Sequence, residues 1–261
     1  MSSSRSSSRS SMSSARCSRS SGTDEATNST GTDDEVNFSG NLSEAKAALR
    51  SRHVKARRRA CHVKARRRAC HDAESWRTKN SQMAEYTAQY VRSLRREGQP
   101  LRIAAYVPLA DEPGAGFLLE TLETDVDELW LPICMPDARL HWSRYAGPDS
   151  LHIPNPRLPV SEPVGPGIAS ADCLPRLDLV IVPALAIARD GYRLGKGAGF
   201  YDRAIAEARS YVSSQTESAA SSMPELLGLV FASEVCDSVP HNHRDCAVDK
   251  IMTEMGVRNL S

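Results

Sequence analysis

Long apolar runs are missing from this sequence of 261 residues. No run approaches the about 20 apolar residues that a membrane-spanning helix needs, and no apolar signal-peptide core follows the N-terminus. The formal net charge is only +1, because basic residues crowd the N-terminal third and acidic residues spread through the remainder. The total charge therefore indicates no partner. We expect a soluble protein without a membrane partner.

Paired cysteines are also missing. The seven cysteines form no C-x-x-C pair and are odd in number, which favours free thiols in a reducing compartment over disulfides. Cys61-His62 and Cys70-His71 resemble metal-binding pairs but lack the spacing of zinc ligands. We expect a cytoplasmic protein in which these pairs bind no metal.

Residues 1–40 lack the apolar side chains from which a core is built. Serine with scattered arginine fills residues 1–21, and acids among threonines follow. We expect this tail to be disordered and residues 41–261 to form one domain. The acid-free start is also typical of an organelle transit peptide, so organelle targeting is an alternative to the cytoplasm.

A run of alternating glycines stands at the centre of the remaining sequence. Gly195, Gly197 and Gly199 are separated by single residues and lie close to Arg193 and Lys196. Glycines at this spacing let backbone N–H groups converge on one point, to which the two cations and a following helix add positive charge. The pattern indicates a phosphate-binding loop, with a plain turn as the alternative.

Two better-known glycine loops do not match this stretch. A P-loop needs four residues between its first glycine and Gly-Lys, whereas only three residues lie between Gly191 and Gly195-Lys196. A dinucleotide fingerprint needs G-x-G-x-x-G, and this sequence has G-x-G-x-G. Asp202, just beyond the glycines, is an oxygen ligand suited to the Mg²⁺ that accompanies a nucleotide triphosphate.

Predicted strands alternate with predicted helices along the ordered part of the chain. Helices are predicted over 41–50, 72–96, 117–124 and 201–211, and strands over 101–107, 129–133, 139–145, 179–182 and 227–231. Five residues of the second helix follow helical spacing and are predicted to face the core: Trp76, Met83, Tyr86, Tyr90 and Leu94. This order favours an α/β layered domain with a mainly parallel sheet.

The segment Gly191–Asp202 reads G-Y-R-L-G-K-G-A-G-F-Y-D. It resembles the signature of the 5-formyltetrahydrofolate cyclo-ligase (5,10-methenyltetrahydrofolate synthetase) family, G-x-R-L-G-x-G-x-G-[YF]-Y-D, at every fixed position. The resemblance covers about residues 42–255. It implies a single Rossmann-like domain, of the type shared with NagB, RpiA and CoA transferases, that uses ATP together with Mg²⁺.

The same resemblance implies a set of site residues, of which Arg193 and Lys196 would be catalytic. The implied ATP-binding residues are Lys46, Ala47, Ala48, Leu49, Arg50, Arg193, Leu194, Gly195, Lys196, Gly197, Ala198, Gly199, Phe200 and Tyr201. The implied folate-binding residues are Val107, Glu112, Lys196, Gly197, Ala198, Gly199 and Phe200. Asp202 and Asp245 would hold Mg²⁺. Glu162-Pro163 is similar to an E-P of the family and is expected to be loop structure.

The reaction implied is the ATP-dependent conversion of 5-formyltetrahydrofolate to 5,10-methenyltetrahydrofolate, ADP and phosphate. In it the formyl oxygen is phosphorylated and N10 attacks the activated carbon. We expect a monomer without a nucleic-acid partner. Two alternatives stay open: a basic adaptor that binds nucleic acid through residues 50–68, and a sugar-phosphate isomerase of related fold.

One feature lies outside the family pattern. His53–Cys61 recurs without change as His62–Cys70. Nine residues rotate an α-helix by about 900°, so equivalent residues of the two copies would face opposite sides of a continuous helix. We expect the duplication to extend a solvated helix, with attraction of RNA to its basic residues as the alternative.

Overall fold

The computed structural model describes residues 41–61, 69–155, 160–215 and 222–260, without the side chains of residues 61 and 69–73. Three sequence predictions therefore lie wholly or mostly outside the described residues. They are the disordered tail, the second copy of the duplication and the serine-rich insertion over 213–222. None of the helices in the described part of the chain is both long and apolar enough to cross a membrane.

The described chain contains a long helical pair followed by alternating strands and helices. The helices are α1 (Leu42–Cys61), α2 (Ala69–Ser93), α3 (Leu118–Glu123), α4 (Ser170–Cys173) and α5 (Phe200–Ser214). The strands are β1 (Arg102–Ala104), β2 (Glu128–Cys134), β3 (Leu140–Arg144), β4 (Leu151–His152), β5 (Glu162–Pro163), β6 (Ile168–Ala169), β7 (Leu179–Pro183), β8 (Ala186–Ala188), β9 (Arg193–Leu194), β10 (Glu225–Leu229), β11 (Val235–Cys236), β12 (Lys250–Thr253) and β13 (Gly256–Asn259).

The main sheet of the described residues has the order β13-β12-β10-β7-β1-β2-β3-β6. Its five central strands, β12, β10, β7, β1 and β2, pair in parallel. The chain leaves β1 toward β2 on one side, whereas β7 lies on the other side of β1 and leads to β10. Strand order therefore switches between β1 and β7, and ligands in open α/β sheets bind at the carboxyl ends of such strands.

The two faces of the sheet carry separate cores. Successive residues of β7 alternate between them: Val180 and Val182 face α5, and Leu179 and Ile181 face α2 and α3. All four are fully buried. Continuous apolar runs are typical of parallel strands that are covered on both faces, so the helices flank the sheet as an α/β layered domain, as predicted.

A small second sheet, which the sequence reasoning missed, has the order β11-β8-β9. Its residues Leu185, Ala186, Ala188 and Leu194 form a third cluster with Val239, against which two side chains of α1 pack. Strands β8 and β9 are only three and two residues long. They are too short to show the alternation of apolar and polar residues by which a strand is predicted from the sequence. This sheet holds the glycine-rich loop in place.

Several predicted boundaries and one core residue are wrong. The first strand spans only Arg102–Ala104, although the N–H of Ala105 still donates to the carbonyl of Trp130. Helix α2 begins at Ala69, three residues before the predicted start. Met83 is fully buried, but Tyr86 is 38% exposed because its side of α2 faces solvent.

The prediction of a solvated helix is wrong for part of the first repeat copy. Arg57 is 3% exposed and His53 is 8% exposed. The guanidinium of Arg57 donates to both carboxylate oxygens of Glu234, at 2.6 and 2.7 Å, and to the carbonyl of Ala184 at 2.6 Å. Arg58 and Arg59 are exposed, as expected. One cation of the basic run therefore fastens α1 to the residue after β7 and to the residue before β11.

This ion pair gives a stability prediction. We expect Arg57→Met to lower the free energy of unfolding by about 3 to 5 kcal/mol, because the buried carboxylate of Glu234 loses its charged partner. The matched control is Arg58→Met on the exposed side of the same helix, which should change stability by less than about 0.5 kcal/mol. Urea unfolding of both variants measures the difference, and equal losses would contradict a structural role for the Arg57–Glu234 pair.

Candidate active site

A cavity lies where the chain leaves the carboxyl ends of β1 and β7. Its volume is about 130 Å³. We call it the central cleft. Its lining residues are Arg57, Glu112, Pro183, Ala184, Leu185, Arg193, Lys196, Gly197, Ala198, Gly199, Phe200, Tyr201 and Asp202. The cleft thus occupies the position at which the strand order switches, and the glycine-rich segment forms one wall.

The backbone of this wall requires glycine at specific points. Gly197 and Gly199 have φ values of +109° and +68°, in the region that favours glycine. Gly199 is the residue before α5, so the loop runs directly into the N-terminus of that helix. A Cβ on Gly197 would lie 3.4 Å from Cζ of Arg50. The loop is therefore shaped both for a helix start and for the close approach of α1.

The first charged contact of the cleft joins the glycine-rich segment to the stretch of chain that precedes β12, which we call the C-terminal segment. Arg193, 6% exposed, donates to the carboxylate of Asp202 at 2.8 Å and to the carbonyl of Cys246. The N–H of Cys246 in turn donates to Asp202 at 3.1 Å. Asp202 and the residue after Asp245 are therefore held against the same arginine.

A second contact brings α1 over the loop. The ammonium of Lys46 lies 2.8 and 2.6 Å from the two carboxylate oxygens of Asp245. One turn further on, Nε of Arg50 donates to the carbonyl of Gly195 at 3.0 Å. The four-residue spacing places both cations on one face of α1, and that face meets the loop and the C-terminal segment.

A third contact crosses the cleft itself. Lys196 lies 2.7 Å from Glu112, whose carboxylate also accepts the N–H of Leu109 at 2.9 Å. The side chain of Lys196 is 49% exposed, whereas that of Glu112 is 9% exposed. The carboxylate is therefore fixed by its surroundings, and the lysine is the partner that is free to move toward a ligand.

Tyr201 contributes a buried hydroxyl without a partner. Its Oη has no hydrogen-bond partner among the described residues. Burial, followed by the negative charge of Glu112, raises the pKa of Tyr201 well above its ordinary value. The hydroxyl therefore stays protonated and keeps a hydrogen-bond donor in the wall of the cleft.

Nine of the predicted site residues line this cleft, namely Glu112, Arg193, Lys196, Gly197, Ala198, Gly199, Phe200, Tyr201 and Asp202. Four more, Lys46, Arg50, Gly195 and Asp245, take part in the contacts of α1 described above but do not line the cleft. The remaining five lie elsewhere. The side chains of Ala47 and Ala48 are exposed on α1. Leu49 and Leu194 pack in the cluster around the small sheet. Val107 packs against the core beside α2 and α3 and is not part of the cleft lining. Any contact of these five residues with a ligand would involve neighbouring backbone or a different part of the site.

Arg57 is the cleft residue that sequence reasoning missed. It lies in the wall with Glu112 and Lys196, and its partner Glu234 is 177 residues away along the chain. The run of arginines gave no sign that one of them is buried. Glu234 follows a predicted strand in the C-terminal half, but nothing in the sequence indicated that it pairs with Arg57.

The oxygen ligands in this region suit Mg²⁺ as a companion of phosphate. Among the described residues, no group of three or more His, Cys, Asp and Glu side chains is placed to hold a metal ion. Mg²⁺ is commonly bound through one or two carboxylates together with substrate phosphates and water. Asp202 and Asp245, joined through Cys246, are two such carboxylates next to a loop of the phosphate-binding type.

Comparisons with known proteins agree with the resemblance in the signature. A sequence profile of the 5-formyltetrahydrofolate cyclo-ligase family matches residues 42–254. The chain is 32% identical over 156 residues to the 5-formyltetrahydrofolate cyclo-ligase of Mycolicibacterium smegmatis, covering 58% of this chain and 72% of that relative. It is 30% identical over 78 residues to the enzyme of the same name from Mus musculus, covering 30% and 34%.

Two solved structures share the fold. The NMR structure of Aquifex aeolicus 5,10-methenyltetrahydrofolate synthetase has a TM-score of 0.57 at 23% identity, covering 82% of this chain and 92% of that one. The synthetase of Mycoplasma pneumoniae has a TM-score of 0.53 at 16% identity, covering 80% and 98%. The predicted fold class is confirmed. With the family profile spanning nearly all of the described residues, the chain belongs to the 5-formyltetrahydrofolate cyclo-ligase family.

Proposed function

We propose that this chain converts 5-formyltetrahydrofolate to 5,10-methenyltetrahydrofolate, with the hydrolysis of ATP to ADP and phosphate. Family membership supports the overall reaction. The observation that carries the ATP-dependent step is the meeting of a glycine-rich loop, a helix N-terminus and four cationic side chains at the end of the parallel sheet. These side chains are Lys46, Arg50, Arg193 and Lys196.

The chemistry explains why a phosphate site is needed. The formyl group of the substrate is an amide, and its oxygen is a poor leaving group. Transfer of the γ-phosphoryl group of ATP to this oxygen releases ADP and leaves a formyl carbon that bears a phosphate leaving group and that N10 of the folate can attack. The C–N10 bond then forms, N10 loses its proton, the C–O bond breaks, and inorganic phosphate carries the former formyl oxygen away.

Phosphoryl transfer depends mainly on positioning and on neutralisation of charge. We assign Lys196 to the transferred phosphoryl group, because its exposed ammonium already lies in the cleft against Glu112. Arg193 holds the loop and Asp202 in place through its buried contacts. The role of Glu112 is to contact the folate once Lys196 has moved toward phosphate.

The nucleotide side of the site is assigned to α1 and the loop. Arg50 contacts the loop at the carbonyl of Gly195, and Lys46 contacts Asp245. The loop itself leads through Gly199 into the N-terminus of α5. Mg²⁺, when bound with ATP, would neutralise phosphate charge next to Asp202 and Asp245. When Lys46 exchanges the carboxylate of Asp245 for a phosphate oxygen, that carboxylate becomes available to the ion.

The two alternative functions receive less support from these contacts. Arg57 is buried and makes its contacts inside the protein, so it is not free for an adaptor that binds nucleic acid through the basic run. An isomerase would use the phosphate loop but would not consume ATP. A monomeric state and a cytoplasmic location remain our proposals.

A turnover assay with omissions tests the proposed function. The full chain, mixed with 5-formyltetrahydrofolate, ATP and Mg²⁺, should form methenyl product, followed by its absorbance, together with one ADP per product. Leaving out ATP or Mg²⁺ should reduce the rate to background. Methenyl formation at the same rate without ATP, or ATP-dependent binding of RNA without any turnover, would contradict the proposal.

Replacement of Asp202 tests the carboxylate next to the loop. We expect Asp202→Asn to lower kcat by about a hundredfold or more, because a preorganised charge that faces the phosphates is lost. Glu207→Gln is a matched control on the same helix, since Glu207 pairs with Arg139 outside the cleft, and it should retain nearly full activity. Thermal unfolding of both variants verifies the fold, and a normal rate for Asp202→Asn at saturating Mg²⁺ would contradict the assignment.

A further inference from the structure

A second cavity lies beside the central cleft, beyond the carboxyl end of β2. Its volume is about 830 Å³. We call it the side cleft. Its lining residues are Ile133, Cys134, Met135, Pro136, His152, Pro154, Asn155, Glu162, Pro163, Val164, Gly165 and Phe200. Most of these residues are apolar, so the side cleft suits a flat and largely uncharged group.

The two clefts share a wall. Phe200, the first residue of α5, lines both of them. The next residue, Tyr201, lines the central cleft together with Glu112. A ligand of suitable length can therefore place one end at Lys196 and another part in the side cleft.

Glu162 is the charged side chain of the side cleft, and it is only 5% exposed. One carboxylate oxygen, Oε1, accepts the N–H of Cys134 at 3.0 Å. The carboxylate also accepts a hydrogen bond from the thiol of Cys134. The adjacent thiol of Cys134 stays protonated, because burial and the charge of Glu162 raise its pKa to about 12.

A carboxylate that is buried in apolar surroundings is costly unless donors satisfy it. Both donors described for Glu162 belong to Cys134, and a carboxylate can accept about four hydrogen bonds, so Glu162 can still accept N–H donors from a ligand in the cavity that it lines. It also repels anions, which excludes the phosphates of ATP and the glutamate carboxylates of a folate as occupants. The ligand group at this point must be flat, uncharged and rich in N–H donors.

We propose that Glu162 binds the 2-amino-4-oxopyrimidine edge of the reduced pterin and thereby selects the folate. This inference rests on the proposed function. The N3–H and the 2-amino group of that edge are neighbouring donors that one carboxylate can accept together, as it does in other bidentate pairs. The apolar lining covers the faces of the ring, and the formyl group at N5 then points toward the central cleft.

Equilibrium binding measures this contact without turnover. The full chain is titrated with 5-formyltetrahydrofolate and with its 2-desamino analogue, in the absence of ATP. We expect Glu162→Gln to weaken binding of 5-formyltetrahydrofolate by about 10- to 100-fold, as loss of a charged hydrogen bond does. Binding of the analogue to the variant should differ little from its binding to the unmodified chain.

Two controls separate recognition from structural damage. Glu128→Gln alters the other end of β2, where Glu128 contacts Trp130 and Arg102, and should leave both affinities unchanged. The unmodified chain should itself bind the analogue about 10- to 100-fold more weakly than the natural ligand, a comparison that needs no variant. In turnover assays with ATP, Glu162→Gln should raise the KM for 5-formyltetrahydrofolate and Glu128→Gln should not. Neither variant should change the KM for ATP.

The outcomes distinguish a failure of the pterin assignment from a failure of the proposed function. If the unmodified chain turns over 5-formyltetrahydrofolate but Glu162→Gln weakens both ligands equally, or neither, the pterin assignment is wrong and the proposed function stands. If the unmodified chain neither binds nor converts the folate, the proposed function itself fails. Weakening that is confined to the ligand with the 2-amino group supports the assignment of Glu162.

Discussion

The contact of Arg193 with Asp202 and with the backbone of Cys246 is the interaction on which the site depends. Arg193 comes from the small sheet, Asp202 from the first turn of α5, and Cys246 from the segment that leads into β12. One buried guanidinium therefore fixes three parts of the chain that would otherwise be joined only by loops. Without a cation at this point, Asp202 would be a partly buried carboxylate with a single backbone donor, and Asp245 would lose its fixed distance from the glycine loop.

Helix α1 completes the site by covering the loop, and it is fastened at two points. At its C-terminal half, Arg57 is buried against Glu234 and the carbonyl of Ala184. At its N-terminal half, Lys46 and Arg50 make contacts that are partly open to solvent. The buried Arg57–Glu234 pair is costly to break. In the proposed function, the partly exposed contacts of Lys46 and Arg50 would be exchanged for phosphate while the buried pair keeps the helix in place.

The sequence predicted the features that are local and missed those that join distant segments. The signature predicted the loop because its glycines and the start of α5 are adjacent in the chain, and the buried strand Leu179–Pro183 was evident from its apolar run. The burial of Arg57 could not be predicted, because a run of arginines is normally solvated and its partner Glu234 lies far away. Likewise, Glu162-Pro163 was expected to be loop structure, but it forms strand β5, which pairs with β4. Only the contact of β5 with the end of β2 places Glu162 in a cavity. Tyr86 followed helical spacing but lies on the solvent side of α2, because a helix of this length covers the core with only one face.

In the proposed reaction, this site uses ATP to turn the formyl oxygen into part of a phosphate leaving group. The most direct measurement follows that oxygen atom. 5-Formyltetrahydrofolate labelled with the heavy isotope of oxygen in its formyl group is converted by the full chain with ATP and Mg²⁺, and the released phosphate is analysed by mass spectrometry. Transfer of the label to inorganic phosphate, one atom per methenyl product, is the predicted result. Methenyl product formed together with unlabelled phosphate would contradict the account, because the formyl oxygen would then leave without having been phosphorylated.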